Sequence, residues 1–266
     1  MKKNLNKDAY AIVTGASKGL GYAYCEELLK LQYNIIAVAR NTNSLKELQK
    51  KYSNFKIETW DLDLSDLKNA YKLFEKSKKL DIEIVINNAG YGVWGYFYQT
   101  DLEKEMNMID LNIKSLHIIT KKFTQYFMEK NKGRVINIAS MGSFTPGPVF
   151  SSYYASKAYV LSFGVAINTE LKKLKSNVRV VTICPGALKT DFWNRSSSEQ
   201  RAKLRNKSKS MSSSVYAKNS LKKALKVKKK NYIIFGTFNK LAKKLTKVIP
   251  EHIILNSVYK YQRKIK

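Results

Sequence analysis

Residues 133–157 read GRVINIASMGSFTPGPVFSSYYASK and contain a strand, a turn and the start of a helix in one stretch. The β-branched run at 134–138 predicts a buried strand, and the Gly/Pro-containing residues that follow predict a loop. The segment from Tyr153 onward predicts a helix. Strand, loop and helix in this order form one unit of an α/β fold.

Two residues of this helix could take part in proton transfer. Tyr153 and Lys157 are four positions apart, so they share a helix face. A free phenol titrates near ~10, and a neighbouring ammonium favours the phenolate, so we expect Lys157 to lower the pKa of Tyr153. Ser140 ends the preceding strand, where it could bond the carbonyl that Tyr153 protonates. The alternative is an amphipathic helix with an ordinary surface Tyr–Lys pair.

Apolar strand-like runs alternate with helical patterns along the chain. Further runs lie at 10–14, 34–39, 55–60, 83–86, 179–183 and 232–235, and the spacing of Leu67, Ala70, Tyr71 and Phe74 is helical. Strands that are apolar on both faces and separated by helices indicate a parallel sheet covered on both sides. We therefore predict a Rossmann-type doubly wound parallel sheet with three α/β/α layers. In such a sheet the ligand lies beyond the carboxyl ends of the strands.

A glycine-rich turn follows the first strand. Residues 14–21 read TGASKGLG and lead into a helix, where glycines permit a tight turn and let backbone N–H groups approach a pyrophosphate. The alternative is a turn without a ligand. This position between first strand and first helix favours a dinucleotide site.

The residues after the second and third strands bear on the choice of cofactor. Arg40 ends strand two, where an arginine would meet a 2′-phosphate, and Lys18 could add a second cation. We therefore expect NADP(H) to be preferred over NAD(H). Asp63 is placed to bond the adenine amino group; its alternative role is a helix N-cap, which Ser65 fits better.

Together these motifs resemble the short-chain dehydrogenase/reductase family over about residues 8–192. The matching residues occur in the family's order and spacing: the TGASKGLG turn, Asp63, the segment from Asn87 to Gly90, Asn112, Ser140, Tyr153, Lys157, Pro185, Gly186 and Thr190.

The resemblance implies an enzyme that interconverts a carbonyl and a secondary alcohol, with Tyr153 as general acid and base. Lys157 would bond the nicotinamide ribose, Ser140 would orient the carbonyl, and Asn112 would hold a water on the proton path. The implied cofactor-binding residues are Gly15, Ser17, Lys18, Gly19, Leu20, Gly21, Arg40, Asp63, Asn88, Ala89, Gly90, Tyr153, Lys157, Pro185, Gly186 and Thr190. It also implies a homodimer or homotetramer.

Aromatic residues near the predicted site favour a bulky, apolar, lipid-like or acyl substrate. The residues expected to bind it are Ser140, Tyr91, Trp94, Phe144 and Phe192. These side chains could equally be packing residues. Residues 191–214 are expected to form a mobile substrate lid, with a disordered linker as the alternative.

Positive charge is concentrated near the C-terminus. The chain carries a net charge of +29, and residues 193–266 hold 21 basic and 2 acidic residues. We divide the chain into a catalytic domain at 1–236 and a basic helical tail at 237–266. In this tail Phe238, Leu241 and Leu245 recur at helical spacing between lysines, and Pro250 suits the start of a second helix. Such helices either pack on the domain or lie on an anionic membrane surface.

The sequence gives little support to a disulfide-rich, metal-binding or secreted protein. Two cysteines and two histidines make neither a disulfide framework nor a metal cluster, and the N-terminus lacks the apolar core of a signal peptide. We expect a cytoplasmic protein, with the inner membrane face as a hypothesis. A dinucleotide-binding regulator without activity, or a nucleic-acid binder attracted by charge, is the alternative, although no specific nucleic-acid motif is present.

Overall fold

The computed structural model describes residues 8–190, 192, 211–228 and 230–263. Its nine strands are β1 (Tyr10–Thr14), β2 (Asn34–Ala39), β3 (Ile57–Asp61), β4 (Ile82–Asn87), β5 (Arg134–Ile138), β6 (Arg179–Cys184), β7 (Leu188–Lys189), β8 (Met211–Ser212) and β9 (Tyr232–Ile234). Seven of them form one sheet in the order β3-β2-β1-β4-β5-β6-β9, and β7 pairs with β8. All neighbouring strands are parallel.

The helices are α1 (Gly19–Lys30), α2 (Lys46–Lys51), α3 (Leu67–Ser77), α4 (Leu102–Ile109), α5 (Leu116–Lys130), α6 (Ser151–Lys173), α7 (Ser213–Lys226), α8 (Thr237–Leu245) and α9 (Glu251–Arg263). A π-helical turn at Asp110–Ser115 joins α4 to α5, and a 3₁₀ turn at Met141–Phe144 follows β5. None of the described helices is both long and apolar enough to cross a bilayer.

Strand β2 shows why the sheet is covered on both faces. Ile35 and Ala37 pack into one buried cluster with α1 and α7, whereas Ile36 and Val38 pack into another with α3 and α5. Every residue of β2 is buried. The strand order reverses between β1 and β4, so the crevice of a doubly wound sheet opens beyond these two strands. The predicted Rossmann-type three-layer fold is confirmed.

Two local predictions differ from the structure. Strand β3 begins at Ile57 instead of residue 55, because the Phe55 N–H bonds the Tyr52 carbonyl in a turn. The N-cap of α3 is Asp66, not Ser65: the Asp66 carboxylate accepts from the Lys68 N–H at 3.0 Å. Ser65 instead donates its hydroxyl to Asp63 Oδ1 at 2.7 Å, so that side chain is already engaged.

The long helix α6 lies very close to the sheet at Gly164. A Cβ at this position would stand 2.1 Å from Thr182 Oγ1 on β6 but 3.5 Å from Thr182 Cβ. Both residues are buried, and Thr182 Oγ1 has no hydrogen-bond partner among the described residues. This glycine therefore sets how near the helix that carries Tyr153 comes to the sheet.

We expect Gly164→Ala to lower the free energy of unfolding by about 1–2 kcal/mol, because the added methyl overpacks the helix–sheet contact. In a Thr182→Ala background the same change meets only an ordinary contact. There alanine's higher helix propensity should make it neutral or stabilising by up to about 1 kcal/mol. Urea unfolding of the four proteins measures both effects, and a change of the same sign and size in both backgrounds would contradict this account.

Candidate active site

The loops after β1 and β4 are tied together at the crevice. Thr14 Oγ1 accepts hydrogen bonds from the N–H groups of Asn88 and Ala89, both at 3.0 Å. The Asn88 side chain donates back to the carbonyls of Thr14 and Gly15 at 3.0 and 3.2 Å. These bonds hold the glycine-rich turn against the Asn87–Gly90 segment.

The glycine-rich turn has the geometry that a phosphate group needs. Gly15 and Gly19 have φ angles of +64° and +58°, which L side chains rarely adopt. The N-terminus of α1 has no side-chain cap and no acidic residue in its first turn. Its free N–H groups and positive helix end favour an anion beside them. The residues present therefore fit the pyrophosphate of a dinucleotide.

Tyr153 and Lys157 are both buried, with exposed fractions of 8% and 5%. The Lys157 ammonium donates to the Ile138 carbonyl at 3.0 Å and lies 5.8 Å from the centre of the Tyr153 ring. An ordinary surface Tyr–Lys pair is thereby excluded. The turn that begins at Ser140 is fixed to the same helix, because Ser143 donates its hydroxyl to the Lys157 carbonyl at 2.7 Å.

Burial controls the protonation of this pair. It raises the pKa of Tyr153, and a hydrogen bond with the Ser140 side chain opposes that rise. Burial also lowers the pKa of Lys157 to about 8. The expectation that Lys157 lowers the pKa of Tyr153 is not met in this structure, since desolvation disfavours the charged form of both groups. Ser140 is the group that lowers the tyrosine pKa here.

Asn112 lies in the π-helical turn and is completely buried. Its Nδ2 donates to the Tyr91 carbonyl at 2.9 Å and to Ser156 Oγ at 3.1 Å, and its Oδ1 accepts from the Tyr91 N–H at 3.2 Å. A Cβ on Gly90 would lie 2.8 Å from Asn112 Oδ1 and 3.4 Å from Lys157 Nζ. The structure thus brings Asn112 and Lys157 together at Gly90.

A cleft of about 310 Å³ opens at this point. Most of the predicted cofactor residues line it: Gly15, Lys18, Gly19, Leu20, Asn88, Ala89, Gly90, Tyr153, Lys157, Pro185, Gly186 and Thr190. Ser17, Gly21, Arg40 and Asp63 do not form its wall. Gly21 lies directly behind the turn, where a Cβ would stand 2.1 Å from the Gly15 carbonyl oxygen.

Arg40 and Asp63 are both exposed. Burial raises the pKa of Tyr91, Asp63 raises it further, and Arg40 lowers it, which places both charges within electrostatic reach of that ring. The Asp63 carboxylate also accepts the N–H and hydroxyl of Ser65, at 2.9 and 2.7 Å. Both residues therefore influence a tyrosine of the cleft wall without forming part of that wall.

The predicted substrate residues divide into two groups. Ser140, Tyr91 and Phe192 line the cleft, and the Phe192 ring lies 5.3 Å from that of Tyr153. Trp94 packs in the aromatic cluster around Tyr153 without lining the cleft, and Phe144 packs against Tyr232. Of the lid predicted at 191–214, residues 191 and 193–210 lie outside the described part of the chain.

Several residues of the cleft wall were not assigned to the site from the sequence, among them Tyr154, Tyr261 and Gln262. Adjacent residues of a helix point about 100° apart, yet the cleft includes the rings of both Tyr153 and Tyr154. Tyr261 and Gln262 belong to α9, near the end of the tail. The one available signal was that Gln262 lies four residues after Val258, on the apolar face of its helix.

Sequence comparison supports the reading of these motifs. The short chain dehydrogenase family profile matches residues 9–201. A very-long-chain 3-oxoacyl-CoA reductase of Neurospora crassa is 30% identical over 68% of this chain and 57% of its own length. A 7beta-hydroxysteroid dehydrogenase of Mediterraneibacter gnavus is 30% identical over 65% and 67%. The chain spans half to two thirds of the length of such relatives.

Solved structures give the same result. A short-chain dehydrogenase from Sphingobium yanoikuyae in complex with NADPH superposes with a TM-score of 0.73 at 27% identity, covering 81% of this chain and 84% of that one. A 4-hydroxyisoleucine dehydrogenase complexed with NADH gives 0.63 at 26% identity, covering 69% and 75%. With the profile match over most of the chain, we conclude that this protein belongs to the short-chain dehydrogenase family.

Proposed function

We propose that the protein is an NADP(H)-dependent oxidoreductase that interconverts a carbonyl and a secondary alcohol on a bulky, mostly apolar substrate. The observation that carries this proposal is the buried Tyr153–Lys157 pair beside Ser140, in a cleft that also contains the glycine-rich turn. A binding module has no chemical need for this combination of groups. The names of the similar reductase and dehydrogenase support the same class of reaction.

In this proposal a bound nicotinamide dinucleotide supplies the hydride for reduction and accepts it in oxidation. Tyr153 donates its phenolic proton to the substrate oxygen during reduction and recovers it in the reverse direction. Ser140 bonds the same oxygen and lowers the pKa of Tyr153, as it does in the structure. Lys157, held at Gly90 beside Asn112, binds the ribose and passes a proton towards Tyr153.

The aromatic wall supports a bulky apolar substrate, lipid-like or acyl. Phe150 stacks on the Tyr153 ring with centroids 4.5 Å apart, and Phe192 covers it from another side at 5.3 Å. Apolar walls with few polar groups bury and orient large apolar ligands.

We expect Tyr153→Phe to lower the turnover of aldehydes and ketones by about 10²–10⁴-fold, since it removes the proton donor and keeps the ring. The measurement is NADPH oxidation with a panel of carbonyl compounds. Tyr159→Phe is the matched control, because Tyr159 lies on the same helix but bonds His117 at 2.6 Å outside the cleft. Equal rates for wild type and Tyr153→Phe would defeat the catalytic assignment.

The preference for NADP(H) rests on two exposed cations, Arg40 directly after β2 and Lys18 in the glycine-rich turn, where this topology places the adenosine ribose. We expect Arg40→Asp to reduce kcat/KM for NADPH by about 10–100-fold, because the 2′-phosphate loses a charged partner. The kcat/KM for NADH should hold or rise, since a carboxylate accepts hydrogen bonds from the ribose 2′-hydroxyl.

Lys173→Asp is the control for this charge change, because Lys173 is exposed at the last turn of α6, roughly 30 Å along the helix from Tyr153. Its ratio of NADPH to NADH use should equal that of wild type. A wild type that prefers NADH, or equal losses with both cofactors in Arg40→Asp, would overturn the cofactor proposal.

The exposed face of α8 supports association with an anionic membrane surface. None of the nine residues of α8 is buried, and Phe238 is 82% exposed. Leu241 and Leu245 are exposed on the same helix, followed by Val248 at 78%. Lysines 240, 243, 244 and 247 alternate with these apolar residues. On such a surface the apolar side chains would insert among the acyl chains, and the lysines would contact the anionic headgroups.

We expect the wild-type protein to co-sediment with phosphatidylglycerol-containing vesicles at low salt and to bind pure phosphatidylcholine vesicles far less. The double variant Phe238→Ser, Leu241→Ser should reduce that binding at least fivefold. It removes apolar groups whose insertion into the bilayer contributes about 0.8 kcal/mol per buried CH₂. Leu174→Ser, at an exposed leucine after α6, is the control and should bind as wild type does. Absence of wild-type binding, or no loss in the double variant, would refute membrane docking.

A further inference from the structure

We infer that helix α9 is part of the substrate site, and that Gln262 and Tyr154 together recognise a second, uncharged hydrogen-bonding group of the substrate beside the reacting carbonyl. This inference rests on the proposed function and narrows its substrate class. Its basis is the unusual way in which α9 is attached to the domain.

Gln262 is the only buried residue of α9, with an exposed fraction of 1%. No apolar residue of the same helix is fully buried: Ile253 is 48% and Tyr261 53% exposed, and Ile254, Leu255, Val258 and Tyr259 are half-buried. A helix that only covered a hydrophobic core would bury its apolar side chains more deeply than a glutamine, because an unbonded carboxamide is costly to bury. The burial of this polar side chain therefore indicates a specific role.

The hydrogen-bond partner of Gln262 lies beside the proposed proton donor. Gln262 Nε2 donates to the Tyr154 hydroxyl at 2.9 Å, across 108 residues of sequence. The Tyr154 ring meets the Tyr153 ring edge-on with centroids 6.2 Å apart. Tyr153, Tyr154 and Gln262 all line the same cleft. A carbonyl that reaches Tyr153 thus brings its neighbouring atoms close to the glutamine–tyrosine pair.

This pair is held in place from two sides. A Cβ on Gly147 would lie 2.2 Å from the Tyr154 ring, so the ring rests directly on the loop that follows Ser140. The Tyr259 hydroxyl lies 3.1 Å from that of Tyr96, which attaches α9 to the loop after β4. Because these supports limit how far the groups can move, little ordering entropy is lost when a ligand bonds to them.

The chemistry of the pair selects the ligand. A carboxamide and a phenol both donate and accept hydrogen bonds, and neither is charged at neutral pH. The described basic residues of the cleft wall are Lys18 and Lys157, both already assigned to the dinucleotide. The pair therefore suits the oxygen of an ester, thioester or hydroxyl group rather than a free carboxylate. A 3-oxoester or 3-oxothioester presents such an oxygen two carbons from its ketone.

The test compares an alkyl 3-oxoester with a methyl ketone of the same chain length, with NADPH as reductant. The readout is the ratio of kcat/KM for the oxoester to that for the ketone. In Gln262→Leu, which keeps the size of the side chain, this ratio should fall about tenfold, with the change mainly in the KM of the oxoester. Tyr154→Phe should give a similar fall, and the double variant little more, because both changes remove one shared interaction.

Asn256→Leu is the control, since Asn256 is exposed on the same helix, and it should keep the wild-type ratio. Isothermal titration of the oxoester into protein with NADP⁺ gives a second readout that needs no turnover. Equal losses on both substrates, or an unchanged ratio in both Gln262→Leu and Tyr154→Phe, would overturn this inference while leaving the oxidoreductase proposal intact. A wild type that binds the oxoester but never reduces any carbonyl would instead overturn the proposed function.

Discussion

The contact between the Lys157 ammonium and the Ile138 carbonyl connects α6 to the carboxyl end of β5, two residues before Ser140. Because burial lowers the pKa of Lys157 to about 8 from an ordinary 10.5, the charged ammonium costs stability at neutral pH. Between pH 8 and 10.5 Lys157 loses its proton in the folded protein but keeps it in the unfolded chain, so this cost to stability lessens as the pH rises through that range. A buried cation of this kind is typical of functional sites, where burial shifts the pKa of catalytic groups.

Much of this arrangement could be predicted from local sequence. Strands apolar on both faces determine a covered parallel sheet, and the spacing of Ser140, Tyr153 and Lys157 places them at one edge of it. The electrostatics could not be predicted in the same way. Four-residue spacing places Tyr153 and Lys157 on one helix face. It determines neither the direction of the Lys157 ammonium nor how deeply the two side chains are buried. Burial is the largest influence on the pKa of Tyr153, and it raises that pKa, whereas Lys157 was expected to lower it.

The contribution of α9 depends on contacts that sequence patterns do not contain. A helix does follow Pro250, as the sequence suggests, but its one buried residue is Gln262 and not an apolar residue. Its partner, Tyr154, is 108 positions away in the sequence. Local spacing cannot reveal such a contact, because it joins residues that are far apart in the sequence.

The two helices of the tail therefore differ in what they bury: α9 is attached to the domain, and membrane docking is proposed for α8 alone. Helix α9 inserts a polar side chain into the cleft, while α8 leaves Phe238 and Leu241 exposed. The two are linked through the site, because Asn239 of α8 lies against Gly186, where a Cβ would stand 2.6 Å from Nδ2. A protein docked through α8 would hold its cleft at the bilayer surface, so an apolar substrate could pass from lipid to Tyr153 with little exposure to water.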